Sequence, residues 1–279
     1  MTSIPIKRSR HGTLMCLLTL TLMALPSAFA TTTFVTNIIL DDYSDPFDTT
    51  GLAGSPGFLK AFPESPPGAV SMPSSQSVST ILTSGQTVGA TRVATLTHLD
   101  PAYDPLRTKG NSSAFVNDDL GLGPKFIGLG NHTASPARLE VDYDFTTMAG
   151  GILDAGTGNT HVIVSVFETD GGDNVVDASL AFENALGNQS TRSLVDLGID
   201  IAAIGNKLLE FNELAGVDFK QLTRAELVWE NGGEAQYNGR IAAIGAGVFP
   251  PTSSAPEPAY AISLFSPLTI ALSRRSRRT

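Results

Sequence analysis

The chain has 279 residues, with 18 basic and 27 acidic side chains and a net charge of −9 at neutral pH. An acidic surface of this kind repels phosphate backbones, which excludes nucleic acid as a partner. One cysteine, Cys16, excludes an internal disulfide and any site built from several thiolates.

The first 30 residues read as a secretory signal peptide: Lys7, Arg8 and Arg10, an apolar helical stretch at 14–25, then Pro26-Ser27-Ala28-Phe29-Ala30. Small side chains at Ala28 and Ala30 suit signal peptidase, so cleavage is expected after Ala30, leaving Thr31 as the mature N-terminus. Cys16 leaves with the leader. The mature chain must then be held by its core alone. Between residues 31 and 258 there are 11 basic and 27 acidic residues, a net charge of −16.

Residues 31–250 fit one all-β domain. The segment 41–76, rich in Pro, Gly, Ser and acids, reads as a long loop carrying short strand pieces. Runs of β-branched and apolar residues predict strands at 34–40, 92–99, 137–145, 161–168, 175–182, 225–230 and 240–249. The Asp170-Gly171-Gly172-Asp173 turn predicts an antiparallel hairpin between the strands on either side of it. Residues 202–214 are the one candidate helix inside the domain, although Gly205 and Phe219-Lys220-Gln221-Leu222 equally suit turns between strands. Many short strands with little helix predict an antiparallel β-sandwich, jelly-roll-like, between an N-terminal signal helix and a short C-terminal transmembrane helix. The boundaries of the domain, Ile39-Leu40-Asp41-Asp42-Tyr43 and a last strand running into Pro250-Pro251, resemble those of exported galactose-binding-like or lectin-like jelly rolls.

Several groups are candidates for chemistry. Glu140, Asp142 and Asp144 alternate with Leu139, Val141, Tyr143 and Phe145, so the three carboxylates share one face of a strand. That face is a solvated exterior or a glycosidase-like carboxylate row. Asp41, Asp42 and Asp45 crowd one loop and are candidate ligands for a structural calcium ion, the one cofactor in view. Trp229 and Tyr237 are the candidate rings for stacking on a sugar, although alternation with Leu227 also suits Trp229 to the core. His98, His132 and His161 have no metal-ligand spacing, and the surroundings of Ser55 lack the pattern of a nucleophile elbow. No catalytic motif stands out, so no enzymatic activity is expected.

The C-terminus carries a second label. A linker at 251–258 ends in Pro256-Glu257-Pro258, a hydrophobic segment occupies 259–273, and a basic tail at 274–279 contains Arg274, Arg275, Arg277 and Arg278. The arginines hold the end of the chain on the cytoplasmic side of a membrane. The apolar run at 259–272 has 14 residues, including Pro267, against the about 20 of a comfortable span. This order of parts resembles the PEP-CTERM sorting signal of exported bacterial proteins, and the resemblance covers residues 256–278 only. It implies a membrane-embedded exosortase as partner, transient anchoring in the inner membrane, and final delivery to the cell surface or extracellular matrix. The expected function is therefore that of an exported, non-catalytic surface or matrix protein. The alternatives are a module that binds extracellular polysaccharide and, further off, a glycan-active enzyme using the carboxylates of strand 139–145.

Overall fold

Alternation of apolar and polar side chains along short segments generates thirteen strands among the described residues of the computed structural model. It describes residues 34–49, 52, 57–102, 110–117, 125–132, 134–170, 175–198, 204–232 and 237–249. The expected leader (1–30, with Ala28 and Ala30) lies outside the described residues, as do the linker, hydrophobic segment and basic tail (251–279). Pro256, Glu257, Pro258, Arg274, Arg275, Arg277 and Arg278 therefore lie outside them too. Among the described residues no helix is long and apolar enough to cross a membrane.

The strands are β1 (Val35–Asp41), β2 (Phe58–Ala61), β3 (Ser75–Ile81), β4 (Thr91–His98), β5 (Ser112–Asn117), β6 (Phe126–Asn131) and β7 (Ala137–Asp144). They continue with β8 (His161–Asp170), β9 (Val175–Asn184), β10 (Gln189–Ser193), β11 (Gly205–Glu210), β12 (Leu222–Asn231) and β13 (Tyr237–Val248). Two antiparallel sheets result. One has seven strands in the order β11-β8-β13-β6-β5-β2, with β1 added beside β13, and the other has six in the order β10-β9-β12-β7-β4-β3.

Inner faces of the sheets make the core. Val162, Val164, Val166, Ile127, Leu129 and Ile244 of the larger sheet are buried in one cluster with Leu96, Leu139, Val141, Leu180, Phe182 and Leu227 of the smaller one. Each fully buried aliphatic side chain of this size contributes about 1.5–3 kcal/mol, so the interior holds the sandwich without a covalent staple. In β6 the alternation of Ile127 and Leu129 with Gly128 has a packing reason. A Cβ on Gly128 would lie 2.6 Å from the Phe115 ring on β5.

Two sequence expectations are overturned here. β8 and β9 do not form a hairpin: β8 pairs with β11 and β13, whereas β9 pairs with β10 and β12. Val162, Val164 and Val166 of β8 and Ala178, Leu180 and Phe182 of β9 are apolar inward rows of one buried cluster, and the two strands lie in different sheets so that these rows face each other across the core. Residues 205–214 are not helical but form β11 and a 3-10 turn at Phe211–Glu213. There the inward residue is Leu209, buried beside β8, and hydrogen bonding to β8 in regular register from Gly205 to Glu210 outweighs local helical preference.

The first and last strands close the larger sheet. Val35 lies opposite Val248 and Asp41 opposite Ile244, with irregularities at Thr36/Ile38 and Ile39/Asp41. Residues Phe34–Phe249 form one compact unit.

Candidate functional site

The outer face of the six-stranded sheet gathers Glu140, Asp142 and Asp144, three of the acidic side chains singled out in the sequence. Strand register orders them in rows. One row reads Ser79, Val93, Asp142, Glu226, Ala181 and Thr191 from β3 across to β10. In the next, Ser77, Thr95, Glu140, Val228, Ser179 and Ser193 are neighbours. Arg138 faces Glu230 at one end of β7, and Arg224 lies between Asp144 and Glu183 at the other. Acids thus occupy the middle strands and arginines bracket them.

Crowding changes their protonation. Partial burial raises the pKa of Asp142 above the ordinary carboxylate value, and the neighbouring Glu140 charge adds to this while Arg224 opposes it. Glu226 is also raised, first by burial, then by the charges of Asp142 and Glu140 and by its hydrogen bond to Glu140. Glu230 is raised by burial and by Asp177, against Arg138. Arg138 meets Glu140 at 3.4 Å. Beside Asp142 a half-open recess of about 130 Å³ is lined by Glu183, Gln189, Thr191, Arg224 and Glu226. Gln189 Nε2 donates to Glu183 at 2.8 Å there.

The expected wet face of strand 137–145 is therefore found, with Glu140, Asp142 and Asp144 all on it. Only Asp142 of the three lines the recess, so the row is spread over an open surface. Such a surface offers hydroxyl-rich ligands many acceptors. None of the face positions named above is aromatic, and Phe182, which borders the recess, is 2% exposed.

Trp229 is the clearest correction. It points inward from β12, opposite Leu139 and Ala178, with 0% of its surface exposed. An indole in the core cannot stack on a sugar. Tyr237 begins β13, paired with Asn131, and its side chain lies outside the described residues.

Asp41, Asp42 and Asp45 line one recess, but their carboxylates take separate donors. The Asp41 carboxylate receives Arg92 Nη1 at 2.7 Å and the Tyr43 N–H at 2.7 Å. Asp45 accepts the Thr83 N–H at 2.9 Å and the Thr83 hydroxyl at 2.5 Å, and Asp42 accepts Ser44. Among the described residues no group of three or more His, Cys, Asp or Glu is arranged to hold a metal ion. The cation beside Asp41 is the Arg92 guanidinium. Arg92 is 0% exposed, reaches the Asp45 carbonyl, and lies 5.8 Å from the Tyr43 ring centre and 5.5 Å from that of Phe47. Burial opposes its charge, but Asp41, Tyr143 and Tyr43 together outweigh this and raise its pKa. Burial likewise pushes the Asp41 carboxyl up, and Arg92 offsets only part of that. A signal for this ion pair exists in the sequence: Arg92 has the same parity as Ala94 and Leu96, which places it on the inward row of β4.

The histidines are dispersed. His98 is buried at the end of β4 and accepts the Asp100 N–H at 3.3 Å. His161 sits edge-on to Phe34 and Phe249, with ring centres 5.9 and 5.4 Å away. Ser55 lies outside the described residues.

No protein-family model and no curated protein matches the chain. Among solved structures, a family 30 carbohydrate-binding module aligns with 52% of this chain and 78% of its own, at 11% identity and a TM-score of 0.32. The family 11 module of a Clostridium thermocellum cellulosomal cellulase covers 78% of this chain and 96% of its own, at 8% identity and a TM-score of 0.28. The enzymatically active domain of tailspike protein 4 from bacteriophage CBA120 aligns with 58% of this chain, which spans 20% of that one, at 11% identity and a TM-score of 0.30. Likenesses at this level carry no argument about this protein.

Proposed function

We propose that the chain is an exported, non-catalytic β-sandwich of jelly-roll type, sorted through a PEP-CTERM-like tail to the cell surface or extracellular matrix. The observation that supports this reading is the closure of the domain by its own first and last strands. Every described strand lies between Phe34 and Phe249, and the Phe34 and Phe249 rings touch edge-on with centres 5.1 Å apart. Such a cargo keeps its sheets when a leader before residue 31 and a tail beyond residue 250 are cut away. Absence of catalysis is inferred from the open placement of the acids, because divided acid and base roles need two carboxyls held on either side of one bond.

A second reading concerns the ligand. Extracellular polysaccharide would meet the carboxylate face around Asp142, Glu183, Gln189 and Thr191 through hydrogen bonds, since the stacking ring expected at position 229 is buried.

Sorting is tested in an exosortase-bearing bacterium. Glu257→Ala should leave membrane insertion intact and stop delivery to the surface fraction, whereas exchanging Arg274, Arg275, Arg277 and Arg278 for glutamate should disturb insertion itself. Normal surface delivery of both variants would remove the proposal.

A further inference from the structure

Five strands have an edge that no described strand covers, and four of them are protected. β2 has only four residues and β10 carries Arg192, with its Nε on the Glu213 carbonyl. β11 carries Lys207 and Glu210. β1 is irregular at two places, and Gln86 Oε1 caps its Ile39 N–H at 3.2 Å. Charges, bulges, short length and side-chain caps are the usual means of stopping a sheet from growing.

β3 has none of these between Ser75 and Ile81; the caps come just outside it, where the Phe62 N–H bonds the Pro73 carbonyl and Asp45 accepts the Thr83 N–H. Its sequence Ser75-Gln76-Ser77-Val78-Ser79-Thr80-Ile81 contains no charge and no proline, and it pairs with β4 in unbroken register. The His98 N–H donates to the Ser74 carbonyl and the Leu82 N–H to the Ala90 carbonyl, so even-numbered residues bond to β4. The N–H and C=O groups of Ser75, Ser77, Ser79 and Ile81 then point away from the sheet. Those four residues are exposed, Ile81 at 65%. Among the described residues nothing pairs with them.

We propose that β3 pairs antiparallel with β3 of a second copy about a two-fold axis at Val78. In that register Ser77 faces Ser79 of the other copy and Ser75 faces Ile81, so outward groups meet outward groups at every rung. Side chains keep their faces: Val78 stays with the core, and the hydroxyl rungs Ser75–Thr97 at 3.0 Å and Thr95–Ser77 at 2.9 Å continue across the join. Charge permits the approach. On the outer face, β3 and β4 present only Ser, Thr, Val and Ile; across that sheet acids begin at β7, two strand spacings or about 10 Å inward, near one Debye length, and the Asp45 carboxylate, which reaches the edge just past the strand, is taken up by the Thr83 N–H and hydroxyl. The acidic chain thus meets its copy along its least charged margin.

The test uses two differently tagged full-length chains, both with Cys16→Ser, one with Ser77→Cys and the other with Ser79→Cys. Under mild oxidant the mixed pair should be trapped as a disulfide several-fold more than either variant with itself, because identical positions lie diagonally and too far apart. Ser77→Lys together with Ser79→Lys should weaken the untrapped dimer about tenfold or more by placing like charges opposite each other. Unchanged cooperative unfolding shows that this variant folds. Equal trapping in all combinations, no trapping, capture of a foreign chain alone, or a dimer indifferent to the lysines overturns the proposal. None of these results affects tail processing, so this pairing and the sorting reading fail separately.

Discussion

Replacing Arg92 with methionine removes the cation from a site where Arg92 is 0% exposed and the Asp41 side chain 2% exposed. Methionine fills much of the volume of the arginine stem, so the main loss is electrostatic: the Asp41 carboxylate stays buried with the Tyr43 N–H and the Tyr143 hydroxyl but no cation. Breaking one half of a buried pair costs about 3–5 kcal/mol. For a domain of this size each kcal/mol shifts the melting temperature by about 2–4 °C, so the variant should melt about 6–20 °C lower. Pairing Arg92→Met with Asp41→Asn removes both charges while leaving an oxygen for the Tyr43 N–H, and should recover most of the loss. Acidification provides a further check. Burial already raises Asp41, and without Arg92 it binds a proton more readily still. The folded variant then takes up protons that the unfolded chain does not, and its deficit narrows as the pH falls toward 5. Urea and thermal unfolding of the two variants at two pH values measure all of this. A single variant costing under about 1 kcal/mol, or a double variant no better than the single, would refute the view that this pair fastens β1 and its loop to the six-stranded sheet.

The carboxylate face makes its own pH prediction. Asp142, Glu226 and Glu230 have folded pKa values above their unfolded ones, so they destabilise the domain at neutral pH and stability rises as the pH falls through their folded values. Asp45 and Asp154 are shifted down, and their contribution is lost only at lower pH, near and below the ordinary aspartate value. The melting temperature should rise from pH 7.5 to about pH 5.5 and fall below about pH 4, and Glu226→Gln should be stabilised at pH 7.5 with a smaller acid gain. A melting temperature that falls steadily from pH 7.5 would contradict this. Trp229 emission should be blue-shifted, resistant to an aqueous quencher, and unchanged by soluble polysaccharide. A red-shifted, easily quenched signal would mean that β12 has been placed with the wrong face inward.

The sequence was most legible where alternation was clean. In β7 the succession Leu139, Glu140, Val141, Asp142 assigns both faces at once, and the same parity rule puts Arg92 inside. β3 escaped notice because serine occupies its exposed positions and resembles loop composition, and β6 because glycine stands where the Phe115 ring needs room. Pairing was less legible than strand identity. Nothing local in the Asp170–Asp173 turn distinguishes a hairpin from a crossover between sheets, which is decided by the inward rows of β8 and β9 facing each other across the core. The Asp41 loop misled for a related reason: its carboxylates have a charge partner, but that partner is 51 residues away.

The central claim is that a self-contained domain travels between two removable labels. Its most direct test is the intact mass of the protein recovered from the surface or matrix of an exosortase-bearing cell. The account predicts a chain that begins at Thr31 and lacks Arg274, Arg275, Arg277 and Arg278. A surface protein that still carries Cys16 or Arg278 would contradict it.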